Sequence, residues 1–293
     1  MSETRIGLLH PGEMGSAVGR ALTERGHRVL YASTGRSDAS RERAARAGLT
    51  DTSTVAAVLE DSEVVLSICP PHAAVDVAAE VAGFRGVFVD ANAVAPATVR
   101  EIAALIHGGG GHLVDGGIVG PPPERAGTTR MYLSGEYAAE IAGLFADTVL
   151  ETPVVGADVG LASALKMCYA AWTKGTSALL LAIRALAAHE HVDEALLAEW
   201  RRSVPDLAER SVSAAGSAHQ KGWRWTGEME EIASAFTAAG LPAGFHQAAA
   251  EIFARTPPPA AVGADGSALD QQGAGALDHV VAALLGPPEP RDR

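Results

Sequence analysis

The sequence of 293 residues has only two cysteines, Cys69 and Cys168, so it offers no disulfide framework and no Cys-x-x-Cys metal site. Basic residues are also scarce, because 23 Lys and Arg against 35 Asp and Glu leave a net charge of −12. Nucleic acids and anionic membranes bind clusters of basic residues, so we expect neither as a partner. A small-molecule substrate without a metal is the better hypothesis.

Long apolar runs are missing as well. The segment MSETRIGLL has no basic start followed by a long apolar stretch, and Arg184 interrupts the most apolar run, residues 178–188. We therefore expect neither a signal peptide nor a membrane span. With so few cysteines, a reducing cytoplasm is the expected location.

The hydrophobic periodicity changes once along a chain that is about twice the usual length of a single domain. Up to residue 157, short β-branched runs alternate with amphipathic segments, which predicts βαβ units on a parallel sheet. From Asp158 onward only helical spacing continues. The predicted fold class is α/β: a Rossmann-type domain over 1–157 and an all-α domain over 158–293. A long helix from Asp158 to about His189 would join the two domains.

The same pattern gives a set of element boundaries. Strands are predicted at 5–10, 28–32, 63–69, 86–90, 112–115, 130–134 and 150–155. Helices of the first half are predicted at 14–25, 39–47, 54–59, 72–81, 96–106 and 136–146. The second half is predicted to continue with helices at 193–203, 205–218, 227–239, 244–254 and 276–285, a Pro- and Gly-rich linker at 257–275 and a flexible tail at 286–293.

The strongest local motif is IGLLHPGEMGSAVGRAL, residues 6–22. An apolar strand, a tight glycine turn and a helix with small residues at its start direct backbone N–H groups and the positive helix end at a pyrophosphate. The usual first glycine of this dinucleotide fingerprint is replaced, and a ligand-free glycine turn is the alternative. Gly15 would serve close helix packing. The predicted cofactor contacts are His10, Pro11, Gly12, Glu13 and Met14.

The segment ASTGRSDASRER follows the second predicted strand, where an NAD-selecting fold places an acidic side chain. Here Ser33, Arg36 and Ser37 offer a guanidinium and two hydroxyl groups to a 2′-phosphate. The nearby Asp38 is predicted to cap the following helix. We therefore predict NADP(H) as the cofactor; the alternative for Arg36 is a solvated surface charge.

Four motifs, HPGEMG, VDANAVAP, DGGIVGPPP and GLASALKMCYAAWTKG, resemble in order and spacing the β-hydroxyacid dehydrogenases. That superfamily includes 6-phosphogluconate and 3-hydroxyisobutyrate dehydrogenases, with imine reductases as relatives. The stretch RWTGEMEEIASAFTAAGLPAGFHQAAAEIF resembles the C-terminal domain of an uncharacterised phosphogluconate dehydrogenase-like branch. The resemblance spans nearly the whole chain. It implies a Rossmann domain followed by an all-helical domain, and a homodimer whose interface is formed largely by the helical domain. It also implies an active site in the cleft between the two domains.

Lys166 matches the catalytic lysine of that superfamily. Its neighbours on the predicted helix are largely apolar, and by helical spacing it shares a face with Tyr169 and Thr173. Partial burial would lower the lysine pKa from about 10.4 toward about 7–8, which suits proton donation to an oxygen as hydride arrives at carbon. The alternative is a lysine whose amine reaches solvent from the helix flank. Lys174 matches no catalytic position of the family.

The resemblance also places Asn92 near the cofactor ribose and the substrate. It places the loop of Cys69, Pro70 and Pro71 on the nicotinamide side. Turn formation by the asparagine and strand termination by the prolines are the ordinary alternatives.

Three departures from the family concern the substrate. Hydroxyacid-specific members carry a serine and two glycines where this chain has Val119, Gly120 and Pro121, asparagines where it has Tyr169 and Ala170, and a Lys-Asp pair where it has Gly227 and Glu228. The loss of these polar anchors argues against a small hydroxy acid. Trp223, Trp225, Met229 and Phe245 would instead line an apolar pocket with Glu228 as its polar group, or pack in the core. The predicted substrate contacts are Gly117, Ile118, Val119, Gly120, Tyr169, Thr173, Trp225, Glu228 and Met229.

Together these features predict an NADPH-dependent oxidoreductase that transfers hydride between the nicotinamide and a C=O/CH–OH substrate, with Lys166 as general acid and base. Two alternatives stay open. One is reduction of C=N, against which the lysine argues, because imine reductases usually carry another residue there. The other is an NADPH-binding sensor or scaffold without turnover.

Overall fold

The computed structural model describes residues 3–256 and 274–286. The chain divides into two compact units, Met1–Cys168 and Tyr169–Arg293. The strands are β1 (Arg5–Leu8), β2 (Arg28–Tyr31), β3 (Thr50–Asp51), β4 (Val64–Ser67), β5 (Val87–Asp90), β6 (His112–Val119), β7 (Thr129–Ser134), β8 (Leu150–Glu151) and β9 (Val154–Gly156). The helices are α1 (Glu13–Glu24), α2 (Asp38–Arg46), α3 (Val55–Asp61), α4 (Ala74–Glu80), α5 (Pro96–Gly108), α6 (Ala138–Leu144), α7 (Leu161–His189), α8 (Asp193–Ser203), α9 (Leu207–Ala238), α10 (Gly244–Ala254) and α11 (Ala274–Leu285). A 3₁₀ turn, Pro71–Ala73, precedes α4.

The first unit is built on one sheet with the strand order β3-β2-β1-β4-β5-β6-β7-β8, and β9 also pairs with β7. Strands β1 to β6 run parallel, and β7 is antiparallel to β6. The strand order reverses between β1 and β4. In such doubly wound sheets, ligands bind at the carboxyl ends of the strands at this switch point. The predicted Rossmann-type sheet is confirmed.

Both faces of the sheet are covered by helices, which explains why its strands are short β-branched runs. Ile6, Leu8 and Leu66 belong to one buried cluster with residues of α1, α2 and α6. Val65 and Phe88 point to the opposite face and pack with residues of α3, α4 and α5. The alternation of neighbouring residues between the two clusters is the two-residue period of a strand.

The second unit contains only helices among its described residues, as predicted. Helix α7 begins in the first unit and continues in the second. Arg184, the charge that interrupts the apolar run of α7, is buried and donates to both carboxylate oxygens of Asp193 and to Ser211 Oγ. One buried guanidinium therefore connects α7, α8 and α9.

The element boundaries differ from the prediction in several places. The predicted helices 205–218 and 227–239 form one continuous helix, α9, so the glycines between them do not break it. Strand β3 was not predicted, and the single strand predicted at 150–155 is two short strands. Helix α11 begins at Ala274, inside the predicted linker. The remainder of that linker (257–273) and residues 287–293 of the predicted tail lie outside the described residues.

Among the helices of residues 3–256 and 274–286, none has the length and apolar character that a membrane span requires.

Candidate functional site

The turn between β1 and α1 brings a helix N-terminus to the switch point of the sheet. Gly12 occupies the N-cap position of α1 with extended backbone, and no side chain caps the helix. A Cβ on Gly15 would lie 2.2 Å from the carbonyl oxygen of His10, so only glycine allows this close packing of helix and turn. The positive end of the α1 dipole therefore faces the carboxyl edge of β1, as in anion-binding turns.

His10 and Arg36 meet at this turn. Burial and the nearby Arg36 charge lower the pKa of His10 to about 4, so its imidazole is neutral at pH 7. Arg36 Nη2 donates a hydrogen bond to the carbonyl oxygen of Leu9 at 3.1 Å. The guanidinium predicted to bind a 2′-phosphate thus lies beside the glycine turn predicted to bind the pyrophosphate.

The loop between β2 and α2 contains the two predicted serines. Ser37 Oγ accepts a hydrogen bond from Ser40 N and caps α2, because Ser37 has the extended backbone that an N-cap requires. The prediction that Asp38 caps this helix is therefore wrong. Asp38 is the first residue of α2, and its carboxylate pairs with Arg41 at 2.6 Å.

Asp51, which the sequence analysis missed, lies next to Ser33. Strand β3 pairs in parallel with β2, with Asp51 opposite Tyr31. The Asp51 carboxylate accepts hydrogen bonds from Ser33 N at 3.2 Å and Ser53 N at 2.7 Å. The sequence pattern does not indicate strand β3, because two residues are too few to show a hydrophobic period.

Asn92 connects the carboxyl ends of β4 and β5. Its side-chain oxygen accepts a hydrogen bond from Cys69 N at 2.6 Å, and its amide nitrogen donates to Ser67 Oγ and to Asp90 Oδ1. The residue is 3% exposed. These bonds give Asn92 a positioning role for the Cys69–Pro71 loop, whereas its direct contact with a cofactor stays a prediction.

The thiol of Cys69 is half-buried in this loop. Burial raises the pKa of Cys69 to about 11. Pro70 is exposed, and Pro71 opens the 3₁₀ turn, whereas β4 ends at Ser67, before both prolines. Whether they also contact a nicotinamide stays a prediction.

The first turns of α7 pack closely on β6. A Cβ on Gly117 would lie 2.8 Å from the carbonyl oxygen of Ala162 and 3.0 Å from Lys166 Cβ, so glycine at this position allows the approach. Lys166 Nζ donates a hydrogen bond to the carbonyl oxygen of Ile118 at 2.7 Å. The predicted catalytic amine is therefore half-buried at the carboxyl end of β6, within the same unit as the glycine turn.

A fully buried carboxylate holds the start of α7. Asp115 Oδ2 accepts hydrogen bonds from Ser134 Oγ, Gly160 N and Ser163 N at 2.9–3.0 Å, and Oδ1 accepts from Ser163 Oγ at 2.6 Å. Ser134 Oγ in turn accepts from Ala162 N. Asp115 thus fixes the helix to β6 about one turn before Lys166.

Two family models match parts of the chain. Residues 5–93 match the model described as NADP oxidoreductase, coenzyme F420-dependent. Residues 187–256 match a domain of unknown function (DUF1932). The uncharacterized 28.5 kDa protein in the 7S RNA 5′ region of Methanothermus fervidus is 28% identical over 184 residues, which cover 62% of this chain and 70% of that protein.

Solved structures match nearly the whole chain. A conserved hypothetical protein from Sinorhizobium meliloti 1021 is 27% identical, with a TM-score of 0.70 over 96% of this chain and 97% of that chain. The 3-hydroxyisobutyrate dehydrogenase of Mycobacterium tuberculosis has a TM-score of 0.71 at 17% identity, covering 97% and 100%. The predicted resemblance to the β-hydroxyacid dehydrogenases is therefore confirmed at the level of the fold. A reductive aminase from Aspergillus terreus in complex with NADPH and ethyl levulinate shares the fold, with a TM-score of 0.56 at 18% identity over 95% and 99%.

The predicted substrate contacts on β6 are Gly117, Ile118 and Val119, all buried, and Gly120 follows at the exposed strand end. On α7, Tyr169 is 48% exposed, and Thr173 Oγ1 donates to the Tyr169 carbonyl oxygen. Their contact with substrate stays a prediction.

The remaining predicted substrate contacts lie in the helical unit, within the domain of unknown function. Met229 is fully buried, so the core-packing alternative describes it. Glu228 is not a free polar group, because its carboxylate pairs with Lys174, and both side chains are largely buried. Trp225 packs edge-to-face on Phe253. Trp223 and Phe245, in contrast, are 53% and 50% exposed and do not belong to the core.

Proposed function

We propose that this chain is an NADPH-dependent oxidoreductase that transfers hydride between the nicotinamide and a C=O/CH–OH carbon, with Lys166 as general acid and base. The observation that carries the proposal is the position of Lys166. Its amine is held at 2.7 Å from the Ile118 carbonyl at the carboxyl edge of the same sheet that carries the glycine turn. The match of residues 5–93 to an NADP oxidoreductase model supports the choice of cofactor.

The residues at the β1–α1 turn fit a dinucleotide. Gly15 allows α1 to lie close to the turn, whereas a Cβ on Gly12 would meet no atom within 4 Å. Packing of the described residues therefore does not require glycine at position 12. A pyrophosphate that approaches the backbone at this position would require it, because a side chain would occupy its space. Arg36, beside this turn, is the group that would hold the 2′-phosphate.

The bound nicotinamide would supply or accept the hydride. The task of Lys166 is proton transfer to the substrate oxygen in reduction, and proton removal in the reverse direction. A lysine ammonium has three donors, so the bond to Ile118 orients the group and still permits proton donation. Asp115 and Gly117 keep the backbone of α7 at the distance from β6 that this bond requires.

The residues of β6 favour an apolar carbonyl compound. Ile118 and Val119 are buried, and a valine stands where hydroxyacid-specific members carry serine. The proposal is tested with a panel of ketones and aldehydes without a carboxylate, cyclic imines and hydroxy acids, followed by NADPH absorbance. Turnover of carbonyl compounds supports it. Turnover of imines alone supports the C=N alternative, and binding of NADPH without any turnover supports the sensor.

Arg36→Ala is expected to weaken NADPH binding by about 1.5–3 kcal/mol, roughly 10- to 150-fold, and to spare NADH. The reason is that only NADPH carries the 2′-phosphate that the guanidinium would bind. Titration of both dinucleotides measures the effect. Arg46→Ala, an exposed arginine of α2 paired with Glu42, is the matched control and should change neither affinity. Equal losses for NADPH and NADH would contradict the assignment of Arg36.

We further propose that the chain forms a homodimer through the helical unit. Trp172, Leu179 and Leu186 recur every seven residues on α7 and are 64%, 44% and 61% exposed. Residues at this spacing share one helix face, and such an apolar face is typical of an interface. The double substitution Leu179→Glu and Leu186→Glu should give a monomer by light scattering at micromolar concentration. Val204→Glu, at another exposed apolar residue, should leave the dimer intact. A monomeric wild-type chain would exclude the proposal.

A further inference from the structure

The loop after β2 is tied to the loop after β3. Ser33 N donates to Asp51 Oδ1, and Thr34 N donates to the Ser53 carbonyl oxygen at 3.0 Å. Thr52 Oγ1 donates back to the Tyr31 carbonyl oxygen. These three hydrogen bonds hold the carboxyl ends of β2 and β3 together as one continuous surface. A Rossmann fold binds the adenosine ribose at this edge of the sheet.

Asp51 brings a carboxylate to this surface from the neighbouring strand. Its oxygen lies 3.2 Å from the backbone nitrogen of Ser33, the first of the residues proposed to contact a 2′-phosphate. The residue is exposed, so the carboxylate also faces solvent. Loss of some solvent contact raises the pKa of the Asp51 carboxyl, but hydrogen bonds from Ser33 and Ser53 and the charge of Arg41 outweigh it, so the pKa is lowered from its ordinary value. Its negative charge is therefore present at neutral pH.

Two arginines oppose this charge. Arg36 lies at the end of β1, where it bonds the Leu9 carbonyl oxygen. Arg41 Nη1 is 3.5 Å from the Ser33 carbonyl oxygen, and its Nη2 pairs with Asp38. A phosphate bound at Ser33 would thus be attracted by two guanidinium groups and repelled by the carboxylate of Asp51.

We propose that Asp51 is the residue that limits the preference of this chain for NADPH over NADH. Its carboxylate repels a 2′-phosphate and is able to accept a hydrogen bond from the 2′-hydroxyl that NADH has at the same place. The chain therefore binds both dinucleotides, and the balance between Asp51 and the arginines sets their ratio. This inference rests on the proposed function, because it requires a dinucleotide at the β1–α1 turn.

The size of the effect follows from Coulomb's law. A phosphate of about two negative charges at about 7 Å from a carboxylate in a water-like dielectric is disfavoured about five- to tenfold in affinity. Salt screens such exposed charges, so the effect should be largest at low ionic strength.

The test is titration of the full-length chain with NADPH and with NADH at low ionic strength, followed by nicotinamide fluorescence. Asp51→Asn keeps the shape of the side chain and an oxygen that accepts from Ser33 N and Ser53 N, but it removes the charge. We expect NADPH affinity to rise about five- to tenfold and NADH affinity to stay equal or fall. Asp51→Ser, which also lacks the charge, should shift the ratio in the same direction and guards against a folding defect of one variant.

Asp61→Asn is the matched control, because it removes an exposed carboxylate at the C-terminal end of α3. It should leave the NADPH to NADH affinity ratio unchanged. If both dinucleotides bind and neither Asp51 variant shifts the ratio by more than twofold, the inference is wrong while the proposed function stands. If neither the wild-type chain nor any of the variants binds NADPH or NADH, the proposed function and this inference both fail.

Discussion

Replacement of Lys166 by methionine is expected to lower turnover about 10²- to 10⁴-fold and to leave NADPH affinity nearly unchanged. Methionine has nearly the length of lysine, so it fills the space beside Gly117, but it cannot give a proton to the substrate oxygen. Steady-state rates with the best carbonyl compound of the panel measure turnover. Fluorescence titration measures NADPH affinity, which should hold because the glycine turn and Arg36 are untouched.

The chain has three lysines, which makes the control simple. Lys221 is exposed on α9, so Lys221→Met removes the same charge at the surface of the helix. Lys174 is a poor control, because its removal would leave the largely buried Glu228 without its partner. Turnover near the wild-type value in Lys166→Met would show that this amine takes no part in the proton transfer.

Local sequence was sufficient to predict the central strands of the sheet and the order of the helices between them. The valine-containing runs of β4 and β5 are buried on both faces, and this pattern is visible in a single short segment. The glycine turn was equally visible, since strand, turn and helix follow one another directly. Lys166 was selected because it matches the catalytic lysine of the superfamily that the motifs resemble, and its largely apolar helical neighbours supported the choice.

Features that depend on packing were predicted less well. Helix α9 continues past Gly222 and Gly227, although glycine disfavours a helix by about 1 kcal/mol. Gly222 is buried, and a Cβ there would lie 3.3 Å from Thr256, so tertiary contact with the end of α10 stabilises the helix where propensity does not. Asp51 was missed for a related reason, because its two-residue strand exists only through pairing with β2.

Asp115 shows the same limit at the candidate site. The motif DGGIVGPPP was recognised, but its first residue received no role, because the groups that bond it are distant in sequence. Ser163 is 48 residues away, and Ser134 is 19 residues away. No local sequence pattern predicts that a buried carboxylate on one strand will accept hydrogen bonds from the start of a distant helix.

Substitution of Asp115 by alanine should therefore lower the free energy of unfolding substantially. It removes the acceptor for four hydrogen bonds in a fully buried place and leaves the donors of Ser134, Gly160 and Ser163 without a partner. Each unsatisfied buried group costs about 1–3 kcal/mol, and loss of an N-cap costs about 0.5–2 kcal/mol. Since the donors relax in part, we expect the free energy of unfolding to fall by about 3–5 kcal/mol. Urea denaturation followed by circular dichroism measures it.

The matched control is Asp158→Ala, because Asp158 is an exposed aspartate in the segment that leads into α7. A surface change of this kind should stay within about 0.5 kcal/mol of wild type. A loss below 1 kcal/mol in Asp115→Ala would mean that α7 does not depend on its bonds to β6. If the helix does depend on them, the turnover rate per folded molecule should also be lower in Asp115→Ala than in Asp158→Ala. The reason is that the bonds to Asp115 anchor α7 one helical turn before Lys166 and so hold its amine near Ile118.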